Sequence, residues 1–187
     1  MTTWFTSDPH FGHKNIIRLT ERPFAQTDVA TMDEAMIERW NATVTPTDTV
    51  WLLGDFSFAK PGATEAIFHR LNGHKHLIIG NHDEQHDHVL NLPWGSMQHY
   101  AKVRENGSRF ILSHYPMEEW DGAYKGYFHL HGHCHGSLTV KRPRRMDVGV
   151  DALYKHRGMA FGSLITLEQV LRLLETEDPK SVDHHGL

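Results

Sequence analysis

Five short polar groups interrupt the hydrophobic pattern of this chain: Asp8-Pro9-His10, Gly54-Asp55, Gly80-Asn81-His82-Asp83, His114 and Gly132-His133-Cys134-His135. At least the first four come directly after a strand-like run. Thr2 to Ser7 is β-branched and aromatic and runs into the turn-like Asp8-Pro9, Thr49 to Leu53 stops at Gly54, Leu77 to Ile79 stops at Gly80, and Phe110 to Ser113 delivers His114. A fold that obeys this pattern can bring the groups together along one edge of its sheets. Side chains set on short loops at strand ends are also held more accurately than side chains on long loops.

The segments between these strands identify the connections. Val29, Met32, Met36 and Trp40 follow helical spacing with Asp28 or Thr31 available as cap. Ala63, Ile67, Phe68 and Leu71 do the same, with Pro61 near the start and Gly73 just past the end. Strand, helix, strand in this rhythm predicts crossover units with neighbouring strands in one sheet. The second half has short turns in place of helices and predicts hairpins, most clearly at Asn106-Gly107. A strand at Phe128 to Leu130 leads to Gly132-His133-Cys134-His135, and further strands are expected at Asp147 to Asp151 and Ser163 to Ile165. Leu167, Val170, Leu171 and Leu174 form a closing amphipathic helix, with Thr166 and Gln169 at capping-box spacing.

Composition bounds the rest. The 187 residues, 39% of them hydrophobic, are expected to form one domain over residues 1–177, followed by a polar, flexible tail at 178–187. A net charge of -4 gives no global positive field, so a role in coating nucleic acid is not expected, and nucleic acid stays a possible partner that the net charge does not indicate. The single Cys134 cannot close an intramolecular disulfide, and the opening residues lack the layout of a secretion signal, so a cytoplasmic location is expected. No apolar run approaches the ~20 residues of a membrane span. Histidine is abundant, with 17 residues, and its competences are proton transfer and metal ligation.

Carboxylate, imidazole and carboxamide without an organised set of thiolates suit borderline divalent ions. Asp8, His10, Asp55, Asn81, His114, His133 and His135 are too many for one four-coordinate ion. They serve two ions sharing a carboxylate, and Asp55, in the middle of the series, is the natural bridge. Taken alone, Gly80-Asn81-His82-Asp83 reads as a polar turn, and His114 as a hydrogen-bonded histidine at a strand end. Together with the other groups they read as ligands. Cys134 is expected to point away from His133 and His135 in an extended segment and to serve as a packing residue.

In this order the five groups resemble the calcineurin-like metallophosphoesterase family, whose pattern D-x-H, G-D, G-N-H-D/E, H, G-H-x-H is matched without a substitution from Asp8 to His135. Ser7, Asp8, His10, Phe11, Gly12, His13 and Asn15 further resemble small single-domain bacterial or phage phosphoesterases that begin S-D-x-H-F-G-H-x-N. The resemblance implies a four-layer αββα sandwich of two mixed sheets flanked by helices, with a dinuclear metal site at strand ends. It implies that Asp8, His10 and His135 hold one ion and Asn81, His114 and His133 the other, with Asp55 bridging. His82 is then the catalytic histidine, Asp83 orients its imidazole, and His13 faces the scissile phosphate. The implied cofactor is a pair of divalent ions, manganese foremost, with Fe, Zn, Ni, Co or Mg as alternatives.

The activity expected is phosphoester hydrolysis, of diesters in preference to monoesters, by in-line attack of a metal-bridging hydroxide while His82 assists the leaving group. A phosphomonoesterase, a nucleotide pyrophosphohydrolase and a non-catalytic interaction module on the same fold are the alternatives. The partner is a phosphorylated small molecule or nucleotide. Lys141-Arg142-Pro143-Arg144-Arg145 reads either as an exposed turn or as a contact for a second phosphate or a nucleic-acid backbone. Trp94, Trp120, Tyr124 and Tyr127 read as core or rim packing, or as walls able to stack a base. His74, His76, His86, His88 and His99 are expected on the surface or in loops, and Met32 and Trp40 in the core.

Overall fold

The computed structural model describes residues 1–105 and 107–175. Its first half follows the periodicity. Strand β1 (Thr3–Thr6) pairs in parallel with β2 (Thr49–Leu52), β2 with β3 (His74–Ile78), and β3 with β4 (Ser96–Gln98). Helices α1 (Lys14–Leu19), α2 (Val29–Thr43), α3 (Pro61–Arg70) and α4 (Asp87–Leu90) lie in the crossovers. Asp28 caps α2 by accepting the Thr31 amide at 3.1 Å, and Pro61 opens α3.

The second half departs from the hairpin expectation. Strands β5 (Tyr100–Glu105) and β6 (Ser108–Ser113) are antiparallel, but β6 runs parallel to β7 (Phe128–His131), and β7 to β8 (Arg145–Asp147). These parallel connections are made by loops and one 3-10 turn at Ala123–Lys125, so they lack the helical period that marks a crossover in sequence. The strand expected at Asp147 to Asp151 is also corrected. The chain leaves β8 at Asp147, whose carboxylate accepts the Gly149 amide at 2.8 Å, and enters helix α5 (Val150–Arg157). Val148 and Val150 suggest a strand locally, and this turn overrides them. The strand expected at Ser163 to Ile165 shrinks to β9 (Ile165–Thr166), antiparallel to β1. Helix α6 (Leu167–Glu175) carries the expected box, with Gln169 Oε1 accepting the Thr166 amide at 2.9 Å and Thr166 Oγ1 accepting the Gln169 amide at 3.2 Å. The expected tail at 178–187 and Asn106 lie outside the described residues.

The result is two mixed sheets flanked by helices, ordered β4-β3-β2-β1-β9 and β5-β6-β7-β8. Strand alternation divides the core. Val50, Leu52 and Leu77 face Met32, Met36, Ile37, Trp40, Ile67 and Phe68 of the helices. Phe5, Leu53 and Ile78 face the other way, into a layer shared with Phe110, Leu112, Leu130 and Met146 of the second sheet. With both faces of its central strands buried, the first sheet leaves its C-terminal strand ends as the natural place for polar chemistry.

At the opposite ends of these strands, Asp48 fastens the layer. Its carboxylate accepts the Thr2 amide at 2.7 Å, the Thr45 amide at 2.9 Å and the Trp4 indole at 3.3 Å, while its carbonyl accepts the His74 amide. Asp48→Ala leaves these donors unsatisfied and is expected to destabilise the protein by about 1–3 kcal/mol; urea unfolding of the variant and the wild type measures it.

His129 of β7 is wholly buried, with Nδ1 donating to the Ile111 carbonyl at 3.1 Å and Nε2 accepting the Met117 amide at 3.0 Å. Burial pushes its pKa from 6.5 down to about 4. Because the folded pKa is depressed, the unfolded chain takes up the proton first. Stability is therefore intact above pH 6.5 and is lost as pH falls toward 4. This group contributes at most about 1.4 kcal/mol per pH unit. Unfolding curves between these limits should show a shallower pH slope for His129→Gln; an unchanged slope excludes His129 as the source.

Candidate metal centre

The C-terminal ends of β1, β2, β3, β6 and β7 deliver the motif groups to one place. Asp8 follows β1, and its amide donates to the Gly54 carbonyl at 3.0 Å; two residues on, the His10 amide donates to the Asp55 carbonyl at 3.1 Å. These backbone bonds continue the pairing of β1 with β2 into the loops and set Asp8, His10 and Asp55 side by side.

The loops hold these side chains inward by an unusual backbone. Asp8, His10, Asp55, His133 and His135 all have positive φ, at 56°, 51°, 59°, 67° and 48°. Such residues cost on the order of 1–3 kcal/mol each and persist where the surroundings over-determine them. Two motif glycines explain their own presence by close approach. A Cβ on Gly54 would lie 2.3 Å from His114 Nδ1, and one on Gly132 would lie 1.9 Å from Ser7 Oγ and 2.4 Å from Asp8 Oδ2. Each glycine makes room for a ligand delivered by another motif.

Two donor groups meet at Asp55. Its Oδ2 lies 3.6 Å from His10 Nε2 and 3.5 Å from His114 Nε2. Asp8, His10 and His135 present ligand atoms within 4.8 Å of one another, as do Asp8, Asp55 and His114. On the far side, Asn81 Oδ1 lies 3.0 Å from His114 Nε2 and 3.1 Å from His133 Nδ1. His114 Nδ1 lies 2.7 Å from the Leu53 carbonyl, which can only accept, so Nδ1 carries a proton and Nε2 is the ring nitrogen turned to the centre.

Several of these atoms are buried without a hydrogen-bond partner among the described residues: Asp8 Oδ1 and both ring nitrogens of His10. At 3.8 Å, the His10 Nε2 to Asp8 Oδ1 contact is too long for a hydrogen bond. Burial works against charge on Asp8, yet the imidazoles of His10, His135 and His114 outweigh it and hold the carboxyl well below the usual range. Burial also holds His10 below its ordinary value. Carboxylate, imidazole and amide oxygen converging in one place fit divalent cations.

His82 stands beside this centre. Its amide donates to Asp55 Oδ1 at 3.0 Å, and its ring packs edge-on against His10, with centroids 5.6 Å apart, and against Phe58 at 4.8 Å. Asp83 is placed differently from the implied role. Its two oxygens accept the amides of Asp55 at 2.8 Å, Phe56 at 2.9 Å and Gly80 at 2.9 Å, so it ties the β2 and β3 loops together instead of turning the His82 ring. Burial pushes its carboxyl up to about 6 against these three amides. His13 stacks on Phe58 with centroids 4.2 Å apart and lies 5.7 Å from the His10 ring; burial, then the neighbouring imidazoles, push it down to about 4.

The segment Gly132 to Gly136 is a turn and not the extended run expected, because His133 and His135 are left-handed. Strand alternation therefore does not separate Cys134 from its neighbours. Cys134 is partly buried, and burial raises its thiol to about 11. His133 is exposed while His135 is partly buried.

Residues outside the motifs complete the frame. Asp33 of α2 accepts the Gly12 amide with both oxygens, at 3.1 and 2.9 Å. Asp147 accepts the Gly136 amide at 3.0 Å. Asp151 of α5 lies 2.8 Å from His135 Nδ1 and is bonded to Arg22. No motif spacing singles these residues out. The side features resolve mostly as packing. Trp94 packs edge-on against Phe56 and Phe68, and Trp120 donates to the Tyr127 carbonyl beside His129. Arg142 and Arg145 tie their loop to Glu118 and to the carbonyls of Glu118 and Met117. His76, expected on the surface or in a loop, lies half-buried on β3, stacked on Trp51 and bonded to Ser96, while His86 and His88 bond the carbonyls of His82 and Ala59. His74 and His99 are exposed.

No helix among the described residues is long and apolar enough to cross a membrane. The chain is 30% identical to the gene 66 protein of Mycobacterium phage L5, covering 92% of this chain and 93% of that one. It is 29% identical to an uncharacterized protein of Methanocaldococcus jannaschii, covering 92% and 90%. A crystal structure of a protein of unknown function from Aquifex aeolicus shares the fold, with a TM-score of 0.66 at 21% identity, over 92% of this chain and 98% of that one. The model of the calcineurin-like phosphoesterase family matches residues 1–185, and the chain belongs to that family, whose members hydrolyse phosphoester bonds and use divalent metal ions.

Proposed function

We propose that this protein is a metal-dependent phosphodiesterase in which Asp8, His10 and His135 hold one divalent cation, Asn81, His114 and His133 a second, and Asp55 touches both. The observation that carries this reading is Asp55 Oδ2, lying 3.6 Å from His10 Nε2 and 3.5 Å from His114 Nε2 at the meeting point of the two donor groups. When bound, two divalent cations supply Lewis acidity, an activated water and positive charge for a phosphate. Manganese is put first by the family resemblance; the oxygen and imidazole donor set also suits Fe, Zn, Co or Ni.

The chain's own groups then orient and protonate. As the oxygen of a water bonds to phosphorus and the ester P–O bond breaks, His82, packed against His10, would give the departing oxygen its proton. Asp83 acts through the backbone, keeping Asp55 and Gly80 in register. A diester is favoured over a monoester by the disposition of Arg22. Its guanidinium is spent on Asp151 and on the carbonyls of Asp8 and Pro9, so the second negative charge of a monoester gains no partner from it.

With Mn²⁺-loaded protein, an aryl thymidine phosphodiester should be cleaved at least ~10-fold faster than the aryl monoester; the reverse order overturns the diesterase reading. His82→Ala is expected to slow cleavage roughly 10²–10⁴-fold for an alkyl leaving group and less for an activated aryl one. Equal losses for both esters would refute the role of His82 as proton donor.

A further inference from the structure

Behind His135, on the side away from the other ligands, lies a charge pair that no motif includes. Asp151 Oδ2 is 2.8 Å from His135 Nδ1 and accepts Arg22 Nη2 at 2.9 Å, while Asp151 Oδ1 accepts Arg22 Nε at 3.0 Å and Thr20 Oγ1 at 3.0 Å. Both side chains are buried, at 0% and 1% exposure. The same guanidinium donates from Nη2 to the Asp8 carbonyl at 2.8 Å and from Nη1 to the Pro9 carbonyl at 2.8 Å. One buried pair thus reaches the loop carrying Asp8 and His10 and, from the opposite end of the sequence, the ring of His135.

We propose that Asp151 is a positioning residue for His135, and that its pairing with Arg22 sets the Asp8, His10 and His135 donor group as one unit. This inference rests on the two-cation reading above. A carboxylate accepts and does not donate when ionised, so His135 holds a proton on Nδ1, and Nε2 is the nitrogen left to meet a cation. A buried ion pair adds little net stability over well-packed apolar residues of the same volume, so its value lies in geometry. The second donor group has a different support: His133 is exposed, and its Nδ1 faces Asn81 Oδ1 at 3.1 Å. Damage to Asp151 therefore falls on one cation position and spares the other.

The test is calorimetric titration of the full-length, chelator-stripped protein with Mn²⁺ alone. Asp151→Ala should weaken one of two binding events by about 10–100-fold, the range for loss of a residue supporting a metal-bound histidine, and leave the other near its wild-type affinity. Asp151→Asn keeps an acceptor for Nδ1 and should recover part of the loss. Because Asp151→Ala leaves Arg22 buried and unpaired, a second variant, Arg22→Met with Asp151→Leu, removes both charges and should melt, without metal, near the wild-type temperature. Its Mn²⁺ affinity should stay low at the same position. If affinity returns with the fold, or if Asp151→Ala binds both ions as the wild type does, the positioning role is overturned. A wild type that takes up a single Mn²⁺ refutes the two-cation reading alone, since the effect of Asp151→Ala on that event still decides the role of Asp151. A wild type that takes up none overturns both.

Discussion

Asp8 Oδ1 and both ring nitrogens of His10 are buried with no hydrogen-bond partner among the described residues, and leaving a buried polar group unsatisfied costs roughly 1–3 kcal/mol. Around them, five motif residues, Asp8, His10, Asp55, His133 and His135, hold a left-handed backbone that an L-residue adopts reluctantly. A site of this kind cannot form from local preferences. It exists because the strands feeding it are buried on both faces and leave their ligands nowhere else to go.

Carboxylates that bind no cation fasten the ligand loops. Asp83 gathers the amides of Asp55, Phe56 and Gly80; Asp33 grips Gly12; Asp147 holds Gly136 and Gly149; and Asp151 backs His135. Asp83 also ties the β2 loop to the β3 loop, and Asp33, Asp147 and Asp151 reach Gly12, Gly136 and His135 from outside the loops that carry them. Hydrogen bonds from amides to a carboxylate are among the stronger kind, which suits them to offsetting backbone strain. The division of labour is between acids that face the proposed cation sites and acids that face the backbone.

How much of this was legible depends on whether a residue's role is local. The crossover helices of the first half could be read from the spacing of Met32, Met36 and Trp40, because one helix face against a sheet leaves a 3.6-residue period. The parallel order of β6, β7 and β8 could not, because its connections are loops that carry no period. Helix α5 was hidden for a related reason. Val148 and Val150 favour a strand, and only the Asp147 carboxylate on the Gly149 amide turns the chain. Alternation gives no account of Cys134, because it holds for extended backbone, and His133 and His135 are not extended.

The sequence by itself determined the chemistry: which residues carry carboxylate, imidazole and amide, and that they follow strands in an order matching one family. That information is written in residue type and short spacing, and both survive in a one-dimensional string. Tertiary structure alone decided that Asp83 serves the backbone and not the His82 ring, and that Arg22 and Asp151, 129 residues apart, close behind His135. Those roles depend on which atoms lie within about 3 Å of each other, and hydrogen bonds fall off over a distance that sequence separation does not encode.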